Sequence, residues 1–206
     1  MNILELEAAV QRDPKNVQAW FALGVKQQDS EREQRAIDAL LRAVELDPEY
    51  VPSWLALGIS HTNEANRAKA YGAIREWAKR HPKFPQTTVG MSGGFKDEVF
   101  EPGSERSQRG MYEGLISCLI EIARNASGRG EEQGVDSDVQ IALAVLLNSN
   151  EEYAKATDCF LTALAVRPHV SLSEFLSAEL LLTHMYHHCF PIFALPSHTS
   201  LNLSLG

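Results

Sequence analysis

VQAWFALGVKQQDSEREQRAIDALLRAVELDPEY (Val17–Tyr50) runs without a gap into VPSWLALGISHTNEANRAKAYGAIREWAKRHPKF (Val51–Phe84), and the two align at a spacing of 34 residues. Trp20, Leu23 and Gly24 are answered by Trp54, Leu57 and Gly58, and Ala36, Leu40 and Pro48 by Ala70, Ile74 and Pro82. At one matched place a small residue, Ala43, gives way to a large one, Trp77. Self-similarity at such a period signifies stacked units, none of which can bury its apolar face alone. In the first unit Trp20, Leu23, Gly24 and Gln27 share one helical face, and Ala36, Leu40, Ala43 and Val44 share another, so each unit predicts two helices. Gly24 and Ala36 are small enough to let the two backbones approach closely. Asp47-Pro48 and His81-Pro82 close the units, because proline cannot continue a helix and turns the residue before it away from helical geometry. Trp20 and Trp54 read as core.

Working outward, Leu4, Ala8, Ala9 and Pro14 read as the closing half of an earlier unit, so residues 1–16 are a partial repeat helix and residues 17–84 two full repeats. Leu143, Ala144, Ala156, Phe160, Ala163 and Pro168 stand 120 positions after Leu23, Gly24, Ala36, Leu40, Ala43 and Pro48, which makes residues 136–168 another repeat. Between them, Pro85–Gly110 holds five glycines and two prolines and reads as a flexible linker. Helical periodicity returns in Met111–Ala126 with a stripe of Leu115, Cys118, Leu119 and Ile122, so residues 111–135 read as a degenerate repeat with a hinge helix. The fold class is therefore all-α, a solenoid of helical hairpins with a degenerate, partly disordered middle repeat. Trp-x2-Leu-Gly, Ala-x3-Leu and Pro recurring in register match the tetratricopeptide pattern.

Composition narrows the function. The 206 residues are 44% hydrophobic and 22% charged with a net charge of −8, enough to bury a core and unsuited to polyanions, whose binding needs clustered Lys and Arg. Nucleic acid is excluded as a partner on that ground. Three cysteines, Cys118, Cys159 and Cys189, lie in no metal-ligand spacing and read as small apolar fillers in a reducing compartment. The acidic, amphipathic start MNILELEAAVQRD is unlike a secretory signal, which points to a cytoplasmic location.

The blocks SHTNE (Ser60–Glu64), REWAKRHP (Arg75–Pro82), DVQIALAVLLN (Asp138–Asn148), EEYAKATDCF (Glu151–Phe160) and TALAVRP (Thr162–Pro168) go beyond a generic repeat. Over about Ala8–Pro168 the chain resembles the tetratricopeptide domain of peroxisomal matrix-protein import receptors, which bind type-1 targeting signals. The resemblance implies a groove lined by the first helices of the repeats that receives a cargo C-terminus similar to Ser-Lys-Leu. It also implies docking proteins at the peroxisomal membrane as partners, cycling between cytoplasm and that membrane, no cofactor and no enzymatic activity. Carried across, Ile59, Thr62 and Asn63 fall at peptide-contacting positions, and Asn148 and Tyr153 at positions near the groove. Amides suit such a site because they donate hydrogen bonds without the desolvation cost of a buried lysine. Asn63 has a second reading as a helix terminator, and the two roles can coexist at a helix end.

After Pro168 the family pattern of two further repeats is absent, and residues 169–206 contain no lysine or arginine. They read as a divergent tail able to form a capping helix from Ser171-Leu172-Ser173-Glu174 onward, which makes the chain an incomplete or inactive fragment of such a receptor. The apolar run in the tail is broken by three histidines and Pro191 and falls short of a membrane span. His184, His187, His188 and Cys189 have helical spacing for a transition metal but no carboxylate beside them to orient the rings, so no metal site is expected. Besides a targeting-signal receptor, the chain could be a chaperone-docking adaptor or scaffold. Such clamps use lysines and arginines where this chain carries Phe21, Val25, Leu55 and Ile59, which disfavours that alternative.

Overall fold

A computed structural model describes residues 2–81, 105–127 and 135–166. Among them are eight helices and no strand: α1 (Ile3–Arg12), α2 (Val17–Gln28), α3 (Glu33–Leu46), α4 (Val51–Asn63), α5 (Arg67–Arg80), α6 (Glu105–Ser127), α7 (Ser137–Ser149) and α8 (Tyr153–Val166). Short polar residues start four of them, α1, α2, α5 and α7. Asn2 accepts from the Glu5 backbone N–H at 2.9 Å while its own N–H donates to the Glu5 carboxylate at 2.9 Å, a reciprocal cap. Asn16, Asn66 and Asp136 cap α2, α5 and α7 in the same way with one accepted bond each.

The hairpins α2–α3, α4–α5 and α7–α8 are the three repeats of the sequence pattern, and the helical faces fall as the spacing requires. Ala36, Leu40, Ala43 and Val44 of α3, and Leu143, Ala144, Ala156, Phe160 and Ala163 of the last hairpin, are all buried. The small residues are needed for contact: a Cβ at Gly24 would sit 2.6 Å from Leu40 Cγ, and one at Gly58 2.7 Å from Ile74 Cδ1. Trp20 and Trp54 differ from expectation. Each is half-buried, because its indole N–H reaches back to donate to the proline carbonyl that closes the preceding unit, Pro14 at 3.0 Å and Pro48 at 2.8 Å.

The linker reading needs revision at its end. α6 begins at Glu105, before Met111, so that residues 105–110 are helical; Arg109 pairs with Glu113 one turn on at 3.0 Å, and nothing crowds Gly110. Leu115, Cys118, Leu119 and Ile122 form its buried stripe, and burial pushes the Cys118 thiol up to about 11, as suits an apolar filler. This stripe joins Tyr71, Ile74 and Trp77 of α5 and Val139, Ala142, Leu143 and Leu146 of α7 in one core. Among the described residues no helix is long and apolar enough to cross a membrane. The expected tail helix, its histidine cluster and the start of the linker lie outside the described residues.

Candidate functional site

The first helices of the three repeats end identically. Arg32 N–H donates to Gln27 O at 3.0 Å, Asn66 N–H to His61 O at 2.8 Å, and Glu152 N–H to Leu147 O at 2.9 Å. One residue before each of these donors the chain is left-handed, with φ of 55° at Glu31, 52° at Ala65 and 65° at Glu151. These bonds satisfy carbonyls that a helix end would leave free. The shared turn fixes the register, so that Gln28 and Asp29 of α2, Thr62 and Asn63 of α4, and Asn148 and Ser149 of α7 occupy equivalent places at the three ends.

These ends are tied together. Gln28, 1% exposed, donates from Nε2 to Ala56 O at 2.9 Å and to Ser60 Oγ at 2.7 Å, joining α2 to α4. Asn63 donates from Nδ2 to Glu33 Oε1 at 2.6 Å, joining α4 to the start of α3. Thr62 Oγ1 bonds Gly58 O at 2.9 Å and meets Ser149 Oγ at 2.8 Å, joining α4 to α7 across 87 positions of sequence. Beside that contact Arg67 pairs with Glu151. Burial raises the pKa of the Glu33 carboxyl, an effect opposed by its bond to Asn63 and the nearby Ser60 hydroxyl and added to by the charge of Glu64, while Glu33 Oε2 is buried and accepts nothing among the described residues. Asn148 Oδ1 is buried and accepts nothing among the described residues.

Thr62, Asn63 and Asn148 are thus brought to one set of helix ends. Ile59 is not open there. It is 7% exposed and belongs to the core that α4 shares with α7. Tyr153 opens α8 across the turn from Asn148, half-buried, its carbonyl accepting from Thr157 Oγ1 at 3.0 Å. As for the terminator reading of Asn63, the left-handed residue that ends α4 is Ala65, and the Asn63 amide is engaged with Glu33 instead. Glu33, Gln28, Ser60 and Ser149 escaped the sequence reading. The equivalence of Asp29, Asn63 and Ser149 in the repeat register is the signal that could have drawn attention to Ser149. Among the described residues no group of His, Cys, Asp and Glu could hold a metal ion.

Consecutive helical hairpins with this periodic core and these joined helix ends define a tetratricopeptide-type repeat module. No family model matches the chain. It is 40% identical over 167 residues to the peroxisomal targeting signal 1 receptor of Dictyostelium discoideum, covering 81% of this chain and 24% of that protein. It is 34% identical over 170 residues to the peroxisomal targeting signal receptor of Yarrowia lipolytica, covering 82% of this chain and 27% of the relative. The PEX5-related protein of Rattus norvegicus is 33% identical over 174 residues, again 82% of this chain and 27% of the relative. Over its repeats the chain is similar to peroxisomal targeting signal receptors and PEX5-related proteins. It spans about a quarter of the length of these relatives.

Proposed function

We propose that this chain is part of the repeat domain of a receptor for type-1 C-terminal peroxisomal targeting signals, serving peroxisomal matrix-protein import. The observation that carries the reading is the junction of α4 and α7, where Thr62 meets Ser149 at 2.8 Å and Asn63 and Asn148 stand beside the contact. Two repeats that are distant in sequence there contribute amides and hydroxyls to one place, as recognition of an extended peptide end demands. The ligands are C-terminal peptides similar to Ser-Lys-Leu, contacted by Thr62, Asn63, Asn148 and Tyr153, with Ile59 shaping the site from the core. Docking proteins at the peroxisomal membrane are the further partners, and the chain works from the cytoplasm, cycling to that membrane, by binding and without chemistry of its own.

Recognition is divided between the repeats present and the two that follow in the family, so this chain alone binds a Ser-Lys-Leu peptide weakly or not at all. Each absent hydrogen bond removes about 1–2 kcal/mol. Titration calorimetry tests this: a dissociation constant below micromolar for the chain alone would overturn the division. In a chimera that replaces residues 169–206 with the family's following repeats, peptide binding is expected to return, and Asn63→Ala to weaken it about tenfold or more. Unchanged affinity in that variant would remove Asn63 from the site.

A further inference from the structure

The second helices of the repeats are not covered alike. In α3 the residues Ile37 and Val44 are buried, with α4 packed against that helix. Their counterparts 34 positions on, Tyr71 and Ala78 of α5, are buried as well, with α6 and α7 packed there. In α8 the matching residues, 120 positions after Ile37 and Val44, are Thr157 and Leu164, and both are only half-buried. Leu161 lies between them and is 54% exposed, against 40% for its counterpart Leu41. Thr157, Leu161 and Leu164 follow the i, i+4, i+7 spacing of one helical stripe. α8 therefore keeps open the face that a following helix covers elsewhere, and among the described residues its principal neighbour is α7, the other half of its own hairpin.

The sequence that follows fits that face. Four residues separate α1 from α2 and four separate α3 from α4, with the closing proline second among them. After α8 the same count, with Pro168 again second, leads to Ser171. Counted from the proline, Ala178 takes the place of Gly24 and Gly58, and Leu176 and Leu180 take the places of Ala56 and Ser60. In α4 those two positions turn toward the preceding hairpin. Ala56 shares a core with Ile37 and Leu40 of α3, and Ala56 O and Ser60 Oγ both receive the amide of Gln28 of α2. Glu174 stands where Trp54 stands, and Trp54 also faces onward, with the Arg80 guanidinium of α5 5.2 Å from its ring centre. Leucines thus fall on the inward side of the pattern, and a charge falls where a further helix would pack.

We infer that residues 171–183 dock as one helix on the Thr157–Leu161–Leu164 face of α8, in the register of a next repeat's first helix, with Leu176 and Leu180 as the inserted side chains. The chain thereby covers its own open end, at the place where a further repeat would begin. Tethering decides the occupant: a link of four residues holds the segment at an effective concentration in the millimolar range, well above what micromolar protein supplies as a second copy. The docking uses the end face of the array and none of Thr62, Asn63 or Asn148, so it stands apart from whether the chain binds a targeting signal.

Hydrogen exchange of the full chain, followed by mass spectrometry, tests it. Amides within residues 173–183 should exchange about tenfold or more slower than unstructured chain, by the same factor at about 1 and about 50 μM protein. Leu176→Asp combined with Leu180→Asp should abolish that protection. So should Thr157→Asp on α8, a site already polar and half-buried, where docking would bury the new charge. Leu182→Asp, on the opposite side of the docked helix, should change it by less than about twofold. Circular dichroism and exchange in α2–α5 report that each variant keeps its repeats folded. Tail amides at the unprotected rate in the parent chain overturn the docking, as does protection that survives Thr157→Asp. Protection present only at the higher concentration assigns the face to a second copy and overturns it as well, and equal loss in Leu182→Asp overturns the register.

Discussion

Ala43 and Trp77 occupy the same place in successive repeats, yet the junctions they face are built differently. Ala43 is 0% exposed in α3, a helix that packs against both α2 and α4. Trp77, 2% exposed in α5, belongs to a core shared with both α6 and α7, so a wider space must be filled there. The polar links follow the same division. Between α2 and α4 the bond is the buried amide of Gln28, whereas between α4 and α7 it is a half-buried hydroxyl pair and the exposed Arg67–Glu151 ion pair. Consecutive repeats therefore meet through a seam tied by a buried amide, and repeats separated by an intervening segment meet through a broad apolar core around Trp77 with polar contacts at the rim.

The largest expected effect tests the aromatic. Trp77→Ala should cost about 3–5 kcal/mol of unfolding free energy in urea denaturation, because the space it leaves is bounded by three helices that cannot all collapse into it. A loss under about 1 kcal/mol would mean that α6 and α7 do not depend on α5 for their packing. Next in size, Gln28→Ala should cost about 1–3 kcal/mol by leaving Ala56 O and Ser60 without their buried donor. Ser149→Ala, at the other junction, should cost less than about 1 kcal/mol, since its partner Thr62 keeps the Gly58 carbonyl. Equal costs at the two sites would erase the contrast between the junctions.

How much of this could be read in the sequence follows from what a repeat encodes. Hairpins were legible because Gly24, Ala36, Leu40 and Pro48 act locally, through close approach within a unit and termination after it. The candidate site was legible only in part. Thr62, Asn63 and Asn148 were found through resemblance, but their partners Glu33 and Ser149 lie 30 and 87 positions from the residues they touch, and the repeat register marks equivalent places without saying which side chains meet. The substitution of Trp77 for Ala43 was visible, yet its meaning was not, because the width of a junction depends on which helix arrives there. α6 starts earlier than composition suggests because Gly110 sits on an open face, where glycine costs helix propensity but no packing.

A smaller effect separates the junctions by pH. Burial, then the charge of Lys69, lowers the pKa of His61 in the folded chain below its ordinary 6.5. The unfolded chain therefore binds the proton more readily, and folding stability is complete above about 6.5 and declines as pH falls below it. The melting temperature should drop between pH 7.5 and 5.5, and His61→Gln, which restores the residue type found at the equivalent Gln27, should reduce that drop. If the variant melts with the same pH dependence as the parent, His61 is not the group responsible and the slope arises elsewhere.

The finest test concerns the left-handed turns themselves. Glu31, Ala65 and Glu151 all hold φ near 55°, where a Cβ crowds the backbone and glycine does not, so each glycine substitution removes about 1 kcal/mol of strain before the added freedom of the unfolded chain offsets part of it. Ala65→Gly should then raise stability by a few tenths of a kcal/mol, up to about 1, measured by the shift in the urea midpoint. Glu151→Gly relieves the same strain but removes the partner of Arg67, a pair whose side chains are 45% and 64% exposed and whose worth is therefore about 0–1 kcal/mol. The difference between the two variants isolates what the rim contributes to holding α7 against α4. A gain at residue 151 as large as at residue 65 assigns the junction to its core and to the Thr62–Ser149 pair; a smaller gain, recovered when Arg67 is also replaced, assigns part of it to charge and predicts that salt loosens this junction while leaving the one between α2 and α4 unchanged.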